Sequence, residues 1–141
     1  MTNAVWIVGA KRTPQGKFLG GLADHSAVDL GVAAGLAALG NIDPARIDSV
    51  IVGNVLGAGL GMNVARQIGV RMGLPLATPA FTVNMMCLSG LQSVMLGVQQ
   101  IRGGAAQMVL CAGHRLRSPA ENHPRGTSSD LLDSQHYRLQ A

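Results

Sequence analysis

Phe81-Thr82-Val83-Asn84-Met85-Met86-Cys87-Leu88-Ser89-Gly90-Leu91-Gln92-Ser93-Val94-Met95 changes its period halfway along, and that change decides the fold class. Phe81-Thr82-Val83 is a short β-branched and aromatic run, read as a buried strand. From Ser89 onward the apolar positions Leu91, Val94, Met95, Val98 and Ile101 recur at spacings of 3 and 4, which predicts a helix over 89–102. Gly103-Gly104 stops it. Cys87 falls in the turn between the two. A thiol there meets the positive end of the helix dipole and unpaired backbone N–H groups. Both favour the thiolate, and the same N–H groups can receive an oxyanion on an attacked acyl carbon. Ser89-Gly90 lets the backbone approach closely where the helix starts. Against the nucleophile reading stands the ordinary fate of a free cysteine, burial as a small inert hydrophobe. On residue chemistry alone both stay open.

Outward from this stretch the alternation continues. Met108-Val109-Leu110-Cys111 reads as the next strand. Upstream, Val50-Ile51-Val52 and Val5-Trp6-Ile7-Val8 read as two more. Between these last two, Ser26 and Asp29 have capping-box spacing ahead of Val28, Val32, Leu36 and Leu39, with Gly40 as the stop. Asn63 opens a helix carrying Val64, Ile68 and Met72. The expectation is an α/β domain of about four strands, near 5–8, 50–53, 80–84 and 107–111, in one parallel or mixed sheet. Three main helices, near 26–39, 62–73 and 89–102, cover it. Functional groups in such folds collect at the carboxyl ends of strands, here near Gly9, Gly53, Asn84–Cys87 and Gly113.

The composition narrows the function classes. The chain has 141 residues, 48% apolar and 13% charged, enough for one domain with a real core and too apolar for disorder. No apolar run reaches the about 18 residues of a membrane span. Met1–Trp6 has no basic stretch ahead of an apolar core, so no secretory signal is expected. Cys87 and Cys111 do not make a disulfide framework, which points to a reducing, cytoplasmic setting. The net charge of +4 is scattered apart from Lys11-Arg12, and the aromatics do not interleave with it, so no nucleic-acid partner is expected. Lys11-Arg12 is read as a solvated turn with Arg12 paired locally. Gly57-Ala58-Gly59-Leu60-Gly61-Met62-Asn63 lies between a strand and a helix, where an anion can sit. It lacks G-x-G-x-x-G spacing and a P-loop Lys-Ser/Thr pair, and is read as a tight connection. His114, His123 and His136 have no compact zinc spacing, so no metal is assigned. Cys111 is read as a small core residue.

Character changes near residue 114. The expected domain covers 1–113. Residues 114–141 are polar, with no strand or useful amphipathic helix, and are read as loop or disorder.

Several motifs, in order, carry a family resemblance. Ala10-Lys11-Arg12-Thr13-Pro14-Gln15-Gly16-Lys17-Phe18-Leu19-Gly20-Gly21-Leu22 comes first. Gly53-Asn54-Val55-Leu56 with Asn63-Val64-Ala65-Arg66-Gln67 follows, then Val83-Asn84-Met85-Met86-Cys87-Leu88-Ser89-Gly90-Leu91-Gln92. Ile101-Arg102-Gly103-Gly104 and Leu110-Cys111-Ala112-Gly113 close the series. Residues 4–113 resemble the N-terminal half of the first thiolase-fold domain. The resemblance implies acyl transfer between coenzyme A thioesters, as an acetyl-CoA C-acetyltransferase or 3-ketoacyl-CoA thiolase of fatty acid metabolism, with Cys87 aligned to the family nucleophile. It implies CoA thioesters as substrates rather than a tightly bound cofactor. It assigns no cofactor-binding residue, and it implies a homodimer or tetramer with Phe81–Asn84 at the dimer interface.

There are departures. Leu88 stands where the family usually has a small residue and is expected to crowd the nucleophile turn. After Gly113 the family has a second glycine and a Glu-x-Met-Ser-like stretch, where this chain has His114-Arg115-Leu116-Arg117-Ser118. The activating histidine, second cysteine and asparagine of the family's second half match no position. The expectation is therefore a thiolase fragment, inactive alone. A non-catalytic remnant or interaction module is the competing reading. The tail is either a frameshifted or readthrough end or, from Leu131-Leu132-Asp133-Ser134, a divergent family loop.

Overall fold

The computed structural model describes residues 4–17, 20–57 and 59–114. Three strands, β1 (Ser49–Gly53), β2 (Ala80–Val83) and β3 (Val109–Gly113), form one sheet in the order β2-β1-β3. All pairings are parallel, with Ile51 opposite Phe81 on one side and Cys111 on the other. Among the described residues the sheet is thus parallel throughout. Three helices accompany it, α1 (Ala27–Leu39), α2 (Val64–Arg71) and α3 (Ser89–Arg102), and a single 3-10 turn over Pro44–Arg46 leads into β1.

β1 is central and buried along its whole length. That explains its unbroken apolar run, since a strand covered on both faces has no solvent side to alternate toward. The chain steps from β1 out to β2 and then back across β1 to β3. Right-handed crossovers in opposite directions put α2 and α3 on opposite faces. The contacts agree. Val50 lies against α2 at Gly69, whereas Cys111, in register with Ile51, lies against α3 at Gly97. Val50 and Val52 therefore join the core with Val28 and Leu39 of α1, Val64 and Ile68 of α2, and Met72 just past its end. Ile51 and Gly53 face α3, as the two-residue pleat requires. Burying each Val or Ile of this set contributes about 1.5–3 kcal/mol.

Two expectations change. Val5–Val8 carries no ladder, and Trp6, Ile7 and Val8 are 79%, 80% and 68% exposed. The segment passes the end of α1, where a Cβ on Gly9 would strike the Ala38 carbonyl. An apolar run supplies strand propensity, but a strand exists only as one side of a ladder, and among the described residues neither outer edge of the sheet pairs with it. β3 begins at Val109, two residues beyond the expected start at 107. The Asp48 carboxylate accepts the N–H groups of Gln107 (2.7 Å) and Met108 (3.0 Å), so both serve a side chain instead of the ladder. Those two bonds also hold the Asp48 carboxyl below its ordinary range.

Candidate functional site

The turn from Asn84 to Leu88 joins β2 to α3 at the carboxyl end of the sheet, and Cys87 lies on it, exposed to solvent. Short bonds build the turn. Asn84 Oδ1 accepts the Met86 N–H at 3.0 Å. Ser89 Oγ accepts the Met85 N–H at 2.9 Å and donates to the Met86 carbonyl at 2.6 Å. Leu88 N–H reaches the Met85 carbonyl at 3.0 Å. Inside this set Met86 takes φ +51°, in the left-handed region that an unbranched non-glycine side chain enters at a cost.

The first turn of α3 is pressed onto the sheet. Gly53, at the end of β1, has no room for a side chain, because a Cβ there would meet Ser89 backbone atoms and lie 2.6 Å from Gly90 N. Gly113, at the end of β3, would place a Cβ 2.6 Å from Gly90 Cα. These two glycines let α3 start in contact with the backbone of both strands. One turn on, the buried Ser93 hydroxyl, with a single proton, sits 2.7 Å from the Gly90 carbonyl and 2.9 Å from the Ala112 carbonyl, tying α3 to β3. No side chain caps α3. Leu88 occupies the cap position with half of its surface in solvent, so the crowding expected from its size does not arise.

The other candidates lie elsewhere. Cys111 is partly buried, not exposed, and faces Gly97 on α3, 2.6 Å from where a Cβ would stand. Burial pushes its thiol up to about 11. The glycine-rich loop is a tight connection. Its buried Leu60 anchors it, and Gln67 Nε2 donates to the carbonyls of Leu60 (2.7 Å) and Met62 (3.0 Å). The Asn63 side chain caps α2 through the Arg66 N–H, so the end of that helix is already served. Lys11 and Arg12 are exposed, and Arg12 donates to the neighbouring Thr13 carbonyl, the local pairing expected. His114 continues from β3, its N–H on the Gly53 carbonyl at 3.1 Å, and burial lowers its imidazole's affinity for a proton. His123, His136 and the rest of the tail lie outside the described residues. Among the described residues no three His, Cys, Asp or Glu side chains gather into a metal-holding group, and no helix is long and apolar enough to cross a membrane.

Cys87 lies on the strand-to-helix turn where the sequence places it, and Gly90 approaches the strand ends closely as expected. Missed from the sequence were the Ser89 and Asn84 side-chain bonds and the role of Gly53 and Gly113. The signal for the latter was a glycine at the end of each of two apolar runs, Val50–Val52 and Val109–Ala112, that become sheet neighbours.

The model of the thiolase N-terminal domain matches residues 5–136, a range that runs past residue 113 into the polar tail. Human mitochondrial 3-ketoacyl-CoA thiolase is 44% identical over 123 residues, 85% of this chain and 31% of that protein. The acetyl-CoA acetyltransferase of Escherichia coli K12 is 49% identical over 115 residues, 80% of this chain and 29% of that protein. The crystal structure of human mitochondrial 3-ketoacyl-CoA thiolase in complex with CoA superposes with a TM-score of 0.71 at 46% identity, covering 74% of this chain and 27% of that one. The chain thus spans under a third of the length of these relatives. A parallel sheet with a cysteine turn at its carboxyl end, a family model matched over nearly the whole sequence and relatives at 44% and 49% identity agree, and the chain belongs to the thiolase family, in the region of its N-terminal domain.

Proposed function

We propose that this chain is the nucleophile-bearing part of an acyl-CoA acyltransferase of the thiolase type, with Cys87 as the acyl acceptor. The observation that carries the reading is the exposure of Cys87 on a turn whose helix is pressed, without a side-chain cap, against the ends of two strands. In the proposed first step the Cys87 thiolate attacks the thioester carbonyl carbon of an acyl-CoA. A carbon–sulfur bond forms to Sγ, the bond to CoA sulfur breaks, and CoA leaves as a thiol after taking a proton. In the second step the acyl group passes from Sγ either to the thiol of CoA or to the carbanion of a second acyl-CoA. A thiolate both attacks a thioester and leaves from one readily.

The substrates in this reading are CoA thioesters, as the names of the human and Escherichia coli relatives indicate for those proteins. The proposed steps require no tightly bound cofactor. A cytoplasmic setting, a role in fatty acid metabolism and a homo-oligomer joined through β2 belong to the same proposal and rest on likeness to the family. For the oligomer there is also the position of β2 at the sheet edge, with its outer side unpaired among the described residues. The range matched by the family model favours divergent family sequence up to residue 136 over a foreign stretch.

The test is single-turnover labelling. The full chain is incubated with acetyl-CoA carrying a labelled acetyl group and mapped by peptide mass spectrometry, beside Cys87→Ser. Label on Cys87, absent from Cys111, is expected. Equal labelling of the lysines in both proteins, with none on Cys87, would overturn the reading.

A further inference from the structure

We propose that Ser89 is a positioning residue for Cys87, its hydroxyl acting as the clasp that holds the Asn84–Leu88 turn in a strained shape. The inference rests on the reading of Cys87 as the acyl acceptor. Ser89 is buried, and its Oγ is used twice within its own turn. It accepts from the Met85 N–H at 2.9 Å and donates to the Met86 carbonyl at 2.6 Å. The two bonds bracket the peptide that leads into Met86, whose φ of +51° puts an unbranched side chain where few residues settle unaided. From the other side Asn84 Oδ1 takes the Met86 N–H at 3.0 Å. Every polar group of the Met86 backbone is therefore engaged by a side chain, and Cys87 is the next residue. A serine inside a helix normally gains little from its hydroxyl, which competes with the backbone bonds. Here it turns backward into the preceding turn instead of capping its own helix. Leu88 offers no cap, so the only side chains bonded to the backbone just ahead of Cys87 are this hydroxyl and Asn84.

The consequence is specific. Without the hydroxyl, Met86 relaxes toward negative φ and Cys87 swings away from the α3 N-terminus, while the β1–α3 packing at Gly53 and the Ser93 bond stay in place. A residue that merely fills space would show no such selectivity.

The experiment compares full-length wild type, Ser89→Ala, Ser89→Thr and Ser89→Ala/Met86→Asn. Iodoacetamide alkylation of Cys87 is followed by mass spectrometry, with hydrogen exchange of the β1 amides as the measure of the fold. Ser89→Ala is expected to slow Cys87 alkylation by about tenfold, the worth of one to two such bonds, with β1 protection unchanged. Ser89→Thr, which keeps the hydroxyl, is expected to restore the rate. Met86→Asn is expected to recover part of it in the Ala background, since asparagine accepts positive φ. Equal rates in wild type and Ser89→Ala, or a Thr variant as slow as Ala with β1 still protected, would overturn the proposal. Alkylation reads the position of the thiol and not its use, so acetyl labelling of wild type separates the two claims. Labelled wild type with an indifferent Ser89→Ala removes the clasp alone. An unlabelled wild type with a slow Ser89→Ala and a restored Thr variant removes the acyl-acceptor reading alone.

Discussion

Cys87 and Cys111 are the same side chain in opposite surroundings. Cys87 stands exposed on a turn, and Cys111 is packed against α3 with its thiol pushed up to about 11. At pH 8 Cys111 therefore stays protonated, and limiting iodoacetamide is expected to modify Cys87 first. Mass spectrometry of the two peptides checks this, and preferential labelling of Cys111 would mean that the turn is not formed. Gly53 offers a second test at this scale. Gly53→Ala forces a methyl into the Ser89–Gly90 backbone and is expected to cost about 1–3 kcal/mol in urea unfolding, the usual penalty of overpacking. The cysteine was legible in the sequence because a strand period and a helix period meet at it. The Ser89 clasp was not, since it depends on the φ of Met86, and no spacing rule encodes a left-handed methionine.

At the scale of elements, the helices were the most legible. α1 begins with a full capping box, Ser26 Oγ accepting the Asp29 N–H at 3.1 Å while Asp29 Oδ2 accepts the Ser26 N–H at 2.8 Å and its hydroxyl at 2.7 Å. Ser26→Ala is expected to cost about 1 kcal/mol, read from chemical unfolding. The same carboxylate pairs with Arg71 of α2 at 2.7 Å, and the Ser26 bonds followed by Arg71 hold it well below the ordinary carboxylate range. A depressed carboxylate stabilises the fold above its unfolded value of about 4, and that contribution disappears as pH falls through the lower folded value. Asp29→Asn is therefore expected to lower stability at pH 7 and to flatten the acid limb of a stability-against-pH curve. An unchanged acid limb would count against it. Strands were less legible. β1 was read correctly because a strand buried on both faces is apolar throughout, whereas Val5–Val8 has the same appearance and no ladder. The start of β3 moved because Asp48, outside any apolar run, claims two N–H groups.

For the whole molecule, the described residues leave the outer edges of β2 and β3 unpaired and expose Leu91, Val94 and Met95 along one side of α3. Open edges and contiguous apolar surface favour association. The purified chain is expected to self-associate in light scattering, and a monodisperse monomer would contradict this. With under a third of the length of its relatives, the isolated chain is also expected to show negligible turnover of acetoacetyl-CoA and CoA, since loss of the partner groups of a catalytic set costs orders of magnitude. Whether Cys87 serves as the acyl acceptor of a thiolase is decided by supplying those groups. Residues 4–113 replace the corresponding region of the Escherichia coli acetyl-CoA acetyltransferase, which is 49% identical over 115 residues. Thiolysis of acetoacetyl-CoA by the folded chimera is then measured with and without Cys87→Ser. The account predicts CoA-dependent turnover that Cys87→Ser abolishes. A folded chimera that turns over no faster than its Cys87→Ser form would contradict it.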